Sequence, residues 1–562
     1  MKNKRFRITD LLIKAVLLAF SCGFFTKLAA KEISVTDFGA VANDGKDDTE
    51  ALRKAAAYCR EHSGTTLLLP PGVYILKDED AEKLEQDAMA GKFGSNTEKV
   101  IFSPYYPYSK GLDLNGTRDI TIIANGATLL CEGWMEPVSI ENSANLTLKG
   151  LTIDYKRKPF SHGEIVAIEE NWFDIRFSPE RIMDGNMPMM RMTIWDRKRN
   201  GMYPRSMYFP KKEFLGDNVV RIFNRIPKDM LGSDAAVVHS FHFRPAILIH
   251  RSANTVIENV TIHSQPGMGI VGFDSKDILL KELRVIPAPG YYFSTNTDAT
   301  HFACCEGLLR FEGCVFQGSG DDATNVHGYY QTIVSATGNE ATLQVKAPTG
   351  THAQVLDAPR VGDVLELVEI STLKTVKEYR VEKVVREEKA CTSSVVLSDD
   401  LPVDFMEYYL MNITKLPRLE FVNSFVNSHL SRGVLVKTRD VLIENNVFRY
   451  CYGTAILVAA EGDWHEGTYA KNVTIRGNTM VGSGTGGRSA PGIAVNIQAK
   501  DTDATYLHDN ILIENNTIVA GEGSEYGIYI GNAKNVTLKN NQVSNCKENI
   551  HLHSVTNINI KD

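Results

Sequence analysis

Six stretches share one hydrophobic pattern: SANLTLKGLTID (143–154), SANTVIENVTIH (252–263), SKDILLKELRVI (275–286), AKNVTIRGNTMVG (470–482), HDNILIENNTIVAG (508–521) and AKNVTLKNNQVSN (533–545). Each opens on small or polar turn residues, alternates apolar and polar positions, turns at Asn or Gly, and resumes in a second short strand. TRDVLIENNVFRY (438–450) follows the same pattern. Such a unit cannot cover its own apolar face, so units must stack, with strands about 4.8 Å apart. Register positions at Asn446, Asn478, Asn516 and Asn541 are 32, 38 and 25 residues apart, and Ser424 precedes Asn446 by 22. The pattern predicts an all-β chain wound as a parallel β-helix, its coils twenty-odd residues long with loops added on one side. Alternation also accounts for Asn-x-Thr triplets such as Asn472-Val473-Thr474 better than glycosylation does.

Two stretches break the repeat. Residues 156–243 are rich in aromatics and methionine, and residues 329–416 alternate as longer strands with Gly and Asp turns. Both are expected to be small inserted β-barrel or sandwich units, with the methionines from Met183 to Met192 filling gaps in a core. Ahead of the repeat, alternation at Ile33, Val35 and Phe38 predicts a short strand. Asp48-Thr49 is placed to cap a helix from about Glu50 to His62, and Leu67–Leu69 reads as a buried strand closed by Pro70-Pro71-Gly72. Asp44, Asp47 and Asp48 are explained as turn and cap residues. The first thirty residues carry four basic residues among the first seven, an apolar run from Leu11 to Phe25, and small residues at Ala29 and Ala30. That is the layout of a secretory signal peptide, so export to the periplasm, cell surface or medium is expected. The predicted order is signal peptide (1–30), cap and first coils (31–155), first insertion (156–243), central coils (244–328), second insertion (329–416) and closing coils (417–562).

Composition narrows the partners. The chain has 562 residues and a formal net charge of −7, with no basic block long enough to track phosphates, so nucleic acid is an unexpected partner. Lys14 interrupts the N-terminal apolar run, which argues against an integral membrane protein. Of the nine cysteines, Cys22 lies within the leader and does not fit a lipidation box, and the others lack metal-ligand spacing. Oligomeric state is left open, a homodimer included.

The chemistry-bearing stretch is FSTNTDATHFACCEGLLRFEGCVFQGSGDDATNVHG (293–328), with Asp298 in Asn-Thr-Asp and Asp321-Asp322 in Gly-Asp-Asp. If one coil takes about 23 residues, Asp298 and Asp321 occupy equivalent positions on adjacent coils, while Gly318-Ser319-Gly320 permits a bulge that exposes Asp322 as well. Three carboxylates on one polar patch repel, so at least one should hold its proton above the usual range, as a general acid requires. Asn296, His301, Asn325 and His327 lie beside them and are candidate sugar-binding groups. So are Arg432 in SHLSRGVLVKT and Glu461, Trp464 and Glu466 in the loop AAEGDWHEG, where Trp464 could stack on a sugar face. Lys437 is expected to be solvated. A turn ladder or calcium site is the structural alternative for the aspartates, and a polysaccharide lyase, a pectin-type hydrolase or a non-catalytic glycan-binding solenoid the functional one.

Residues 32–76 resemble the N-terminal cap of right-handed parallel β-helix proteins of the pectin-degrading type. Asn-Thr-Asp followed one coil later by Gly-Asp-Asp resembles the polygalacturonase arrangement, but the Gly-His-Gly and Arg-Ile-Lys elements that grip uronate are missing. The layout of cap, coils, two insertions and SRGVLVKT resembles glycoside hydrolase family 110, the exo-acting α-1,3-galactosidases of Bacteroides-like bacteria. The resemblance implies a right-handed helix and hydrolysis, with inversion, of terminal α-1,3-linked galactose on blood-group B-type or linear α-galactosyl glycans. It further implies no metal or other cofactor, with Asp321 as acid and Asp298 with Asp322 as base, about 6.5 to 9.5 Å apart across a lateral offset.

Overall fold

The computed structural model describes residues 31–561 apart from 103–105, 180–183, 198–199, 204–205, 346–357, 388–389 and 485–489. The predicted signal peptide, Cys22 and Met183 lie outside the described residues.

Alternating sequence becomes stacked coils. Residues Ile257, Leu280, Phe311, Phe421, Ile443, Ile475, Ile513 and Leu538 are parallel register partners on successive coils and form one buried column down the interior. Phe311 and Phe421 are adjacent in that column, with ring centroids 5.2 Å apart, although the second insertion separates them in sequence. A second parallel ladder runs from Gly72–Lys77 through Val315–Gln317 to Gln542–Ser544. A third includes Ile270–Phe273, Thr300–Ala303, Val434–Val436 and Ile456–Glu461, and it carries the site.

The polar positions of the repeat have two uses. Asn446, Asn478, Asn516 and Asn541 form an internal ladder: the backbone N–H of Ser424 donates to Asn446, Asn446 to Asn478, Asn478 to Asn516 and Asn516 to Asn541, at 2.8 to 3.1 Å. These bonds satisfy backbone donors at the turn, which would otherwise be buried unpaired. A second set, including Asn145, Asn254, Asn472 and Asn510, sits at positive φ in the first residues of the strand, a conformation Asn tolerates better than most residues. Asn472 donates to Asp440 at 2.8 Å, the structural duty that alternation implied.

The helix Thr49–Glu61 covers the solenoid's end with Leu52, Ala55, Ala56 and Cys59, spaced for one helical face. Its N-terminus differs from expectation. Asp48 makes no side-chain cap; its oxygens accept from the backbone of Val41 and Ile75, while Asp47 accepts from Thr49 N at 2.9 Å. The strand expected through Phe38 ends at Ser34, because Ser34 and Asp37 form a reciprocal capping box that turns the chain into a 3₁₀ helix, Val35–Phe38.

The first insertion is an antiparallel sheet whose strands lie between Phe160 and Val238, with Met187, Met189, Met190 and Met192 buried. The second grows out of a coil strand. In Thr324–Thr337, Thr324, Asn325 and Val326 pair in parallel with the next coil, and Tyr330 onward pairs antiparallel within the insertion. From there pairing passes through Glu340–Gln344, Thr392–Leu397, Thr375–Glu387, Val364–Glu369 and Tyr408–Asn412 back to Thr324–Thr337, so the described residues of this unit form a closed six-stranded barrel.

Candidate active site

Three loops stack where the chain enters the site-bearing ladder. Ser294 N donates to Gly318 O at 2.9 Å and Gly318 N to Ser428 O at 3.1 Å, which layers residues 294–298, 318–322 and 428–432. Gly318 turns the chain at φ +73°, and at Gly320 a side chain would collide with Asn296 O and the Arg191 guanidinium. The pair of glycines is therefore required by a turn and by a close approach.

Strand pairing corrects the expected register. Thr300 pairs with Thr324, an offset of 24 residues, so Asp298 lies level with Asp322 and Asp321 precedes the match. The aspartates consequently differ in setting. Asp322 is 1% exposed and Asp298 6%, while Asp321 is half-buried, so the bulge does not expose both members of the pair. Arg432 grips Asp322 with Nε on Oδ1 at 2.8 Å and Nη2 on Oδ2 at 2.7 Å, and its own backbone N–H donates to Oδ1. Asp298 Oδ1 accepts from Asp322 N at 3.2 Å, and its Oδ2 lies 2.8 Å from His301 Nδ1. Burial pushes Asp298 above the usual carboxylate range, against His301. Burial likewise pushes Asp322 up to about 7, against the pull of Arg432. A rise is present, but on Asp298 and Asp322, the two expected to act as base, and desolvation rather than carboxylate crowding is its larger cause.

The three carboxylates each bring an oxygen within 4.8 Å of the other two. The lateral offset expected to separate acid from base to about 6.5 Å or more is absent, because the stacked loops hold all three side chains in one recess. The donor set suits a cation poorly: both Asp322 oxygens face Arg432, and both Asp298 oxygens have hydrogen-bond partners.

Most of the predicted binding residues come together as one polar chain. His301 and Asn325 are register partners, as are Ala303 and His327. His301 Nε2 and His327 Nε2 are 2.8 Å apart, and Asn325 Nδ2 donates to Glu466 Oε2 at 3.1 Å. Glu461 and Glu466 face each other at the base of a hairpin whose second strand pairs with Gly328 and Tyr329. Trp464 sits at the hairpin tip, 48% exposed. Two readings are corrected. Lys437 is not solvated: it is fully buried, 2.5 Å from Glu461 and paired with Glu466, which is how two facing carboxylates are tolerated. Asn296 belongs to the framework, since its buried amide donates to Ser240 O at 2.8 Å, with longer contacts to Pro159 O and Pro266 O.

Other residues at the site escaped the sequence reading. The first insertion supplies Arg191, which donates to Asn296 O. Just after that insertion's last strand stands His242, paired with Glu98 at 2.9 Å and stacked on Phe102. Burial alone would lower His242, but Glu98, with Asp298 and Asp321 adding, raises it. Neither residue has a repeat register that could have announced it. His429 Nδ1 contacts Asp321 O at 2.9 Å, and here a signal existed, because SHLSRG is the coil-equivalent of GSGDDA.

Fold and site together define a parallel β-helix protein with a clustered-carboxylate recess that the first insertion reaches through Arg191 and His242. Residues 432–562 match the family model described as "Right handed beta helix region", which gives the winding its hand. Over most of its length the chain is similar to α-1,3-galactosidases. It is 27% identical to alpha-1,3-galactosidase B of Bacteroides thetaiotaomicron over 80% of this chain and 75% of that one. It is also 27% identical to alpha-1,3-galactosidase A of Bacteroides fragilis strain YCH46 over 86% and 83%. Among solved structures, the A-module of the Azotobacter vinelandii mannuronan C-5 epimerase AlgE4 aligns over 93% of this chain and 99% of its own, at 13% identity and a TM-score of 0.45.

Proposed function

We propose that the chain is an exported exo-acting α-1,3-galactosidase that removes terminal galactose, with inversion, from blood-group B-type or linear α-galactosyl glycans. The observation that carries the reading is the Asp298–Asp321–Asp322 cluster in a chain similar over most of its length to α-1,3-galactosidases. Asp321, the most accessible of the three, donates to the leaving oxygen. Asp298 and Asp322 hold and activate water. Both are buried and tethered, to His301 and Arg432, so neither can advance onto the anomeric carbon, and attack falls to water. That argues for inversion despite the short separations. Trp464 offers a ring for stacking on galactose.

The test is turnover of a panel of terminal α-galactosides, with the product anomer followed by NMR and a parallel series containing EDTA. β-Galactose should form first and the chelator should change nothing. Initial α-anomer would overturn inversion, and loss of activity with EDTA would overturn metal independence.

A further inference from the structure

His327 Nδ1 lies 2.9 Å from Gly328 O, a carbonyl that can only accept, so that nitrogen carries a proton. Its other nitrogen, Nε2, faces His301 Nε2 at 2.8 Å, a contact that needs one proton between two nitrogens. The second nitrogen of His301, Nδ1, faces Asp298 Oδ2 at 2.8 Å, a contact that needs another. Three hydrogen bonds in series therefore require three protons on Asp298, His301 and His327. That is one more than a carboxylate and two neutral imidazoles supply. The unit is net neutral, and it reaches the trio through Asp298.

We propose, resting on the galactosidase reading above, that His301 and His327 are positioning residues that keep one extra proton shared between Asp298 and His301, so that Asp298 works as a base neutralised from behind. His327 fixes the arrangement. Locked as an Nδ1–H donor, it offers Nε2 as an acceptor and compels His301 to carry its proton on Nε2. A neutral His301 then cannot donate from Nδ1, the ordinary way an imidazole supports a carboxylate. Either His301 is imidazolium beside ionised Asp298, or the same proton sits on Asp298 Oδ2; the two forms differ by one proton's move along a single hydrogen bond. In both, Oδ1, the oxygen hydrogen-bonded to Asp322 N, is unprotonated. During hydrolysis the water O–H bond breaks, its proton goes to Oδ1 and its oxygen bonds to the anomeric carbon. The glycosidic bond breaks, the leaving oxygen takes the proton of Asp321, and a later transfer from Asp298 to Asp321 resets the site.

The surroundings fit. Burial holds the His327 imidazolium pKa down to about 3, keeping His327 out of the sharing. The titratable and charged groups facing the unit are Asp321 and Asp322 from the neighbouring loop, the latter neutralised by Arg432. Beyond these stand His242 just past the last strand of the first insertion, His429 in the next loop, Glu466 with Lys437 beside His327, and Tyr329, whose ring meets that of His327 edge-on at 4.8 Å between centroids. The preceding coil contributes Val271 opposite His301.

The test combines two readouts on the full chain. Histidine ¹⁵N NMR at the pH of activity, with His301 assigned by the signal lost in His301→Gln, should show His301 protonated at Nε2 and His327 at Nδ1. This needs no substrate, so it stands or falls apart from the galactosidase reading. A neutral His301 protonated at Nδ1 would overturn the proposal. In the pH profile of kcat/KM, His327→Phe removes the acceptor and lets the extra proton leave more easily, which should move the alkaline limb down by about one pH unit. His327→Gln, whose amide oxygen can accept from Nε2, should restore it. An alkaline limb at the same pH in wild type and His327→Phe would also overturn the proposal.

Discussion

Changing Asp321 to Asn keeps the side chain's shape and removes its charge and transferable proton. Turnover should fall by about 10²- to 10⁴-fold while the melting temperature holds. The same holds for Asp298→Asn. Early melting with normal kcat per folded molecule would return the trio to a structural role. Lys437 gives the opposite kind of residue-scale prediction. It separates two buried carboxylates, so Lys437→Met should destabilise the protein by about 3–5 kcal/mol in urea unfolding. The sequence could not show this, since a lysine beside a strand of apolar residues reads as solvated until the hairpin Ile456–Gly467 folds over it.

At the scale of elements, the asparagine ladder was legible because each rung recurs at the same place in the pattern. Asn478 accepts from Asn446 and donates to Asn516 and Ile443 O, so Asn478→Ala strands a buried backbone N–H and a neighbouring amide. The expected cost is about 1–3 kcal/mol, read as a lower urea midpoint with an unchanged slope. The loops that carry the aspartates were legible to within one residue. Loop text between strands carries no alternation to count by, and the offset of 24 is fixed by pairing of Thr300 with Thr324. One residue of error there exchanged the settings of Asp321 and Asp322.

For the whole molecule, burial lowers four histidines among the described residues from an ordinary 6.5: His239 and His327 to about 3, His508 to about 4, and His429 in the same direction. Below pH 6.5 the unfolded chain binds protons that the folded chain refuses. The stability tied to these groups is therefore full above that pH and lost as pH falls, by up to about 1.4 kcal/mol per pH unit for each group, while Asp322 and Glu85, pushed up to about 7 by burial, act in the opposite direction. The stability of the wild type relative to His508→Gln in urea unfolding should therefore fall from pH 6.5 toward 4.5; a difference that stays flat across that range would refute the account. The sequence by itself determined the stacked coils, the end cap, the places of the two insertions and the identity of the acidic trio. All of these rest on local alternation, turn residues and recurrence. Tertiary structure decided which carboxylate is accessible, that Arg432 grips Asp322, that Lys437 is buried, and that Arg191 and His242 reach the site. Those facts depend on register between coils and on long chain excursions returning to one recess, and neither leaves a period in the sequence.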